Sequence, residues 1–377
     1  MNKMISAAQL KQKNAVSGKV KRLYVLSPYP HDHAPSQRLK FEQYYSEFGK
    51  AGYAITISPF ISASFWKVVY KKGHYAKKFL FTLASYFRRF VDLFRIPFYD
   101  VVYVHLWVTP FGPPIFEWLV TKLSKRVIYD IDDMIYLSEN KSKANAVISN
   151  FKGKKKPIFL FKHADHVITC TSFLEEYAKK FNGHVTDIPV SIDTMTYRPK
   201  EDYRQKEKKI VLGWSGSLST SPYMHLLDEV LHELRKGTDF KLLVIGDNNF
   251  SIPGIDVEAL SWTKEKEMSS LQRFDIGLYP LPDEPWIYGK GGGKALQYMS
   301  LGIPTVASAL GANFTIIEND KNGFLVTSKE QWFNALSALI KDQALRERIG
   351  KAGVQTIEKK FSVKANKDKY LAVLSNS

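Results

Sequence analysis

The 377-residue chain contains a single cysteine, Cys170, so no intrachain disulfide can form and a zinc site of several thiolates is excluded. That cysteine lies in the apolar run Val167-Ile168-Thr169-Cys170, the setting of a buried structural thiol rather than a nucleophile. An intracellular, reducing compartment fits. Low-complexity tracts and fixed-period repeats are also missing, the 17 prolines and 22 glycines being scattered along the chain, which excludes solenoids and collagen-like arrays. The opening segment MNKMISAAQLKQKNAVSGKVKR lacks the apolar centre of a secretory signal, and residues 1–19 read as a flexible arm. Acidic side chains are scarce beside basic ones, 37 against 54, for a formal net charge of +17. Such an excess asks for an anionic partner: phosphate ligands, nucleic acid or an anionic membrane surface.

What is present describes a globular α/β protein. Hydrophobic residues make up 45% and charged residues 24% of the chain, and the length predicts two domains rather than one core. In the first half, apolar runs at Lys21–Leu26, Ala54–Ile57, Val101–Val104, Val127–Tyr129, His166–Thr169 and Val185–Ile188 read as strands. Helices are predicted between them over Ser36–Ala51, Pro114–Leu123 and Ser172–Phe181. After the charged stretch Pro199–Lys209, strands at Ile210–Trp214, Lys241–Ile245, Asp275–Leu278 and Thr305–Ala307 alternate with helices at Pro222–Arg235, Lys264–Gln272 and Lys294–Ser300. Two last helices span Gln331–Ile340 and Leu345–Lys359. The alternation predicts two Rossmann-like, doubly wound domains facing each other across a cleft at the carboxyl ends of their strands. The boundaries fall at 20–197 and 198–358, with residues 359–377 crossing back to the first domain.

Between Ile61 and Phe98 stand Lys67, Lys71, Lys72, Lys77, Lys78, Arg88, Arg89 and Arg95 against one acid, Asp92, interleaved with ten aromatic residues. This pattern at helical spacing reads as a helix lying in an anionic membrane interface. Equally, it reads as an amphipathic surface helix whose aromatics pack on their own domain. The longest uncharged run, Phe79–Phe87, is too short to span a bilayer.

The densest chemical signal is Gly289-Lys290-Gly291-Gly292-Gly293-Lys294, placed directly before a predicted helix. Consecutive glycines let backbone N–H groups approach a ligand, and the helix N-terminus adds partial positive charge. Lys290 and Lys294 would add full charges facing a diphosphate. A P-loop is excluded because no Gly-Lys-Ser/Thr ending follows. A second turn, Gly213-Trp214-Ser215-Gly216-Ser217, ends the first strand of the second half, and its hydroxyls either cap the next helix or bind phosphate oxygens.

The run Lys294–Ser308, with Gly302, Pro304 and Ser308, followed by Asn322-Gly323-Phe324-Leu325-Val326, resembles the donor-site signature of glycosyltransferase family 4. Gly216-Ser217 and Pro189-Val190-Ser191-Ile192-Asp193 sit at fitting places. The resemblance implies the GT-B fold, a nucleotide-sugar co-substrate with no other cofactor, retention of anomeric configuration, and no metal. It covers about residues 20–375 and is strongest over 210–330. Two departures stand out. The family's two glutamates eight positions apart read here as Gly289 and Gln297, leaving Gln297 for a ribose hydroxyl and Asp283 or Glu284 for the sugar. The family's Arg/Lys pair is absent from Ser217–Ser221, so Lys290 and Lys294 substitute as the cations that offset leaving-group charge.

In the first half, Asp130-Ile131-Asp132-Asp133 follows an apolar strand. Three carboxylates suit a divalent metal, but the tandem Rossmann order favours a metal-free site. By the resemblance, Asp132 stands where relatives place a histidine, so Asp130 or Asp132 orients an acceptor hydroxyl or acts as a base. Loop-structuring aspartates are the plain alternative. His105, ending its strand at the expected cleft edge, and Arg38, opening a helix beside it, are candidates for the acceptor or phosphate side.

The function expected is therefore sugar transfer from a UDP- or GDP-sugar to a glycan or lipid-linked acceptor, as in cell-envelope polysaccharide or glycolipid synthesis. The expected location is cytoplasmic and peripheral at the inner face of a membrane. A nucleotide-sugar epimerase or hydrolase on the same frame is the first alternative, and it lacks an evident histidine–carboxylate pair in the sequence. A basic scaffold is the second. Nucleic-acid binding is disfavoured because the cations cluster with bulky apolar residues and no binding motif appears.

Overall fold

The computed structural model describes residues 20–136, 155–204 and 207–375. The expected arm at 1–19 lies outside the described residues. The chain divides into two compact units, residues 20–189 with 367–375, and residues 190–366.

The first unit is a six-stranded parallel sheet formed by β1 (Lys21–Ser27), β2 (Tyr53–Pro59), β3 (Val101–His105), β4 (Val127–Asp130), β5 (His166–Thr169) and β6 (Val185–Asp187). Their order is β2-β1-β3-β4-β5-β6. Leu23 to Leu26 are all buried, the mark of a strand covered on both faces. The register sets Val25 opposite Ile57 on one side and Tyr103 on the other. The helix expected over 36–51 is broken into Pro35–Arg38, the 3-10 turn Glu42–Tyr44 and Tyr45–Lys50. The break falls at Lys40, which is drawn inward under the sheet's carboxyl edge. The basic aromatic stretch forms helices Ala63–Val69 and Tyr75–Arg95, and the final helix Val363–Ser375 ends in this unit, with Tyr370 packed on Tyr44 and Phe48.

The second unit carries β7 (Ile210–Ser215), β8 (Phe240–Ile245), β9 (Val257–Leu260), β10 (Ile276–Tyr279), β11 (Thr305–Ser308) and β12 (Phe324–Val326), again all parallel, in the order β12-β11-β10-β7-β8-β9. Leu212, Trp214, Leu242, Val244, Ile276 and Leu278 join Leu336 and Leu339 of helix Lys329–Lys341 in one core. Three of its helices start where a side chain accepts an otherwise orphan N–H: Thr263 from Lys266, Ser328 from Gln331, Asp342 from Leu345.

Candidate active site

In each sheet the winding reverses beside the first strand, and the carboxyl ends of the strands at such a reversal are where open α/β sheets bind ligands. In the second unit the reversal lies between β7 and β10. β7 runs out through Trp214 and Ser215 into Gly216. A Cβ on Gly216 would stand 2.4 Å from the Trp214 ring and 2.9 Å from Lys294 Cε, so only glycine lets the strand end pass beside that lysine. Lys294, half-buried in the first turn of helix Gly293–Ser300, holds its Nζ 5.4 Å from the ring centroids of both Trp214 and Tyr279. Burial, reinforced by the charge of Lys290, pushes its ammonium down to about 8. Among the described residues no carboxylate lies within ion-pairing distance of it. An arriving dianion would reverse both penalties, so this lysine is poised to favour phosphate.

The residue ahead of that helix is Gly292, at φ +70°, where a Cβ would meet Ile316 Cδ1 at 2.2 Å. Left-handed backbone and close packing both require glycine here. The turn opens the helix N-terminus, whose first N–H groups have no intrahelical acceptors. Ser217 is exposed, its Oγ 2.8 Å from Ser219 Oγ, and helix Ser221–Leu227 has no side-chain cap. The hydroxyls at this turn are therefore presented to solvent instead of capping.

In the first unit the reversal lies between β1 and β3. Register places His105, the last residue of β3, opposite Asp130, the last of β4. His105 Nδ1 is 3.8 Å from Asp130 Oδ2, and its Nε2 is 3.6 Å from Asp132 Oδ1. Both exceed hydrogen-bond length, and among the described residues both buried ring nitrogens lack a direct hydrogen-bond partner, as does Asp132 Oδ1. Lys40 donates to the carbonyls of Thr169 and Ile188, each at 2.6 Å, with its Nζ 3.5 Å from Asp130 Oδ1. Tyr103 donates its hydroxyl to Asp130.

The two aspartates are driven apart. Burial raises both carboxyls, but for Asp130 the combined pull of Lys40, His105 and Tyr103 outweighs it and leaves the group below its ordinary range. For Asp132 burial prevails over His105, helped by repulsion from Asp133 and Asp130, and the carboxyl stays above its ordinary range. One anion is locked; its neighbour is a proton acceptor with raised basicity, the division of labour used in acid–base sites.

Lys290, Gly291, Gly292, Gly293, Lys294, Gly216 and Ser217 thus gather at one sheet edge of the second unit. Asp283 is exposed and accepts from Tyr288 at 3.0 Å. Gln297 is buried, its amide donating to Tyr197 at 3.0 Å and Glu267 at 3.4 Å. Sequence reading missed that network of Tyr197, Glu267 and Trp262, whose members lie far apart in the chain. Asp130, Asp132 and His105 gather in the first unit, where His105 is wholly buried rather than at an edge. The structure also supplies the histidine–carboxylate arrangement that the sequence did not reveal. Arg38, half-buried at the end of helix Pro35–Arg38, lies near Glu42, a buried carboxylate that also feels His105. Lys40 and Glu42 were missed; a lysine between Leu39 and Phe41, inside an apolar stripe, was the available signal.

Residues 209–342 match the family model of glycosyl transferases group 1. The fold is similar to that of sucrose-phosphate synthase from Thermosynechococcus elongatus, at 14% identity and TM-score 0.67 over 95% of this chain and 100% of that one. It is also similar to Anabaena HepE solved in complex with UDP, at 15% identity and TM-score 0.65 over the same shares of the two chains. A glycosyltransferase from Rickettsia africae gives 15% identity and TM-score 0.65, again over 95% and 100%. No curated protein matches the chain. Two parallel six-stranded sheets with flanking helices, shared with these structures, define a GT-B fold. The family match over the second unit supports glycosyl transfer as the chemistry.

Proposed function

We propose that this protein transfers a sugar from a UDP- or GDP-sugar to a glycan or lipid-linked acceptor, with retention of configuration and without a metal. The observation that carries the reading is the cation-flanked glycine turn at the reversal of the second sheet, inside the segment matched by the glycosyl transferase model. When the bond from the anomeric carbon to the diphosphate breaks, negative charge grows on the departing nucleoside diphosphate. Lys290, Lys294 and the N–H groups opening helix Gly293–Ser300 offset that charge. The UDP bound by the fold neighbour HepE supports a nucleotide-sugar donor. Asp132 accepts the proton of the acceptor hydroxyl, while Asp130, held as an anion by Lys40, lies beside His105 without hydrogen-bonding it. The enzyme works on the cytoplasmic side of a membrane as a peripheral protein in envelope polysaccharide or glycolipid synthesis, a reading supported by the basic aromatic surface of residues 61–98.

A second reading has one observation in its favour. The pair His105 and Asp132 is what a nucleotide-sugar hydrolase or epimerase needs, and it separates from transfer by converting the donor at full rate with no acceptor present.

The test is thermal stability of the purified protein with EDTA across UDP, GDP, ADP and their sugar conjugates. One nucleotide is expected to raise the midpoint, and Lys290→Ala with Lys294→Ala removes the rise. Folded protein that responds to none of them overturns the donor site.

A further inference from the structure

Helix Tyr75–Arg95 buries polar groups and leaves a row of large apolar ones outside. Its inward side carries Ser85, Arg89 and Asp92 beside Leu93, all buried, with Phe81 and Tyr86 packed on Phe60 and Phe65, while its outward stripe is apolar: Leu80 is 63% exposed, Phe87 68% and Phe94 65%, with Leu83 and Phe90 also exposed. The spacing 80, 83, 87, 90, 94 is one helical face, so this is a continuous ridge and not scattered residues. The inverted polarity is structurally complete on the inner side. Arg89 donates Nε to Val108 O, Nη1 to Ser58 and Asp92, and Nη2 to Ser27 O, all within 2.8–2.9 Å. Asp92 also accepts from Tyr24 at 2.6 Å and Ser58 at 2.7 Å. The polar side is therefore held by the sheet, and among the described residues of this unit the side chains of the apolar ridge stay exposed.

The ridge is extended by Phe98 beyond the helix and accompanied by exposed Ile115 and Trp118 on the neighbouring helix Ile115–Leu123. Ile115 and Trp118 lie outside the stretch that the sequence pattern singles out. A contiguous exposed apolar ridge bordered by charged residues is the mark of an interaction face.

We infer that this two-helix face inserts into the interface of an anionic lipid bilayer, with helix Tyr75–Arg95 lying along the membrane plane. The inference deepens the peripheral-membrane part of the proposed function, and it is independent of donor binding. Charge decides the occupant. The lone acid of the stretch, Asp92, is buried against Arg89, which leaves Lys67, Lys71, Lys72, Lys77, Lys78, Arg88 and Arg95 without a surface carboxylate from the same stretch. A second copy docked on this face would set cations against cations, whereas anionic headgroups complement them. No described helix is long and apolar enough to cross a membrane, and a helix with a buried Arg–Asp pair on one side and phenylalanines on the other suits an interfacial depth.

The experiment is flotation of the full chain with vesicles of phosphatidylcholine alone and of phosphatidylcholine mixed equally with phosphatidylglycerol, without nucleotide. The expected result is recovery with the anionic vesicles only, lost in Phe87→Glu/Phe94→Glu, with an unchanged melting temperature since both side chains are already in water. Lys77→Glu and Arg95→Glu each lower the partition coefficient at least about fivefold, an effect that high salt erases. Equal recovery with neutral vesicles, or none with either, overturns the inference. So does a dimer in sedimentation that Phe87→Glu/Phe94→Glu dissolves. Nucleotide-induced stabilisation that persists in a protein that ignores vesicles would separate the failure of this inference from that of the donor site.

Discussion

The two units repeat one architecture and arm it with opposite chemistry. At the reversal of the first sheet the fold collects carboxylates, Asp130 and Asp132, around His105, with Lys40 as an internal counter-charge. At the reversal of the second it collects glycines and two lysines, with no carboxylate paired to Lys294 among the described residues. A sheet of either winding order brings its strand ends together at the reversal, and the side chains there decide the sign of the charge it collects. The difference also shows in how each site is maintained. Asp130 is fixed by Tyr103 and Lys40, whereas Lys294 lies against the Trp214 and Tyr279 rings with no ion-paired carboxylate among the described residues.

The comparison is broken most severely at Asp132. Asp132→Asn removes the proposed proton acceptor and is expected to lower turnover about 100- to 10,000-fold, measured as release of nucleoside diphosphate from the donor, with donor affinity unchanged. Next comes Lys40→Met, which leaves Asp130 buried beside no cation and costs about 3–5 kcal/mol of stability in chemical denaturation. The pH dependence sharpens that test. In the parent, Asp130 is held below its ordinary 3.8, so its stabilising contribution is complete above that pH and fades as pH falls through the lower folded value. Without Lys40 burial is opposed only by His105 and Tyr103, the carboxyl rises, and the deficit of the variant shrinks as the solution is acidified.

On the basic side, Lys294→Ala is expected to weaken nucleoside diphosphate binding about 10- to 100-fold, the worth of a charge-assisted contact. Because the free lysine titrates near 8, affinity is flat below that pH and falls about tenfold per unit above it, and Lys290→Ala moves the break upward. Smallest is Gly292→Ala, whose left-handed backbone and Ile316 contact predict a loss of about 1–2 kcal/mol. The melting temperature falls accordingly, with a modest loss of nucleotide affinity as the helix entrance shifts.

The frame and the basic site were legible because their signals are local. Runs such as Lys21–Leu26 and Ile210–Trp214 are continuous apolar strands, and Lys290–Lys294 is a contiguous motif. β9 escaped because Val257-Glu258-Ala259-Leu260 is a half-buried edge strand, with Glu258 paired to Arg273 and Lys241. β12 is only three residues long. The acidic site was legible as residues but not as a cluster, since His105 meets Asp130 only through the register of β3 on β4. Likewise the amphipathicity of Tyr75–Arg95 was visible while its direction was not. Arg89 faces inward because Ser27, Ser58 and Val108 wait there, and all three lie well before or after it in the chain.

The most direct test of the division between the units is a calorimetric titration of Lys294→Ala and Asp132→Asn, side by side, with the nucleoside diphosphate that the parent protein binds. The account predicts parent-like affinity for Asp132→Asn and a loss of at least about tenfold for Lys294→Ala. Equal affinities for the two variants, or a loss confined to Asp132→Asn, would contradict it.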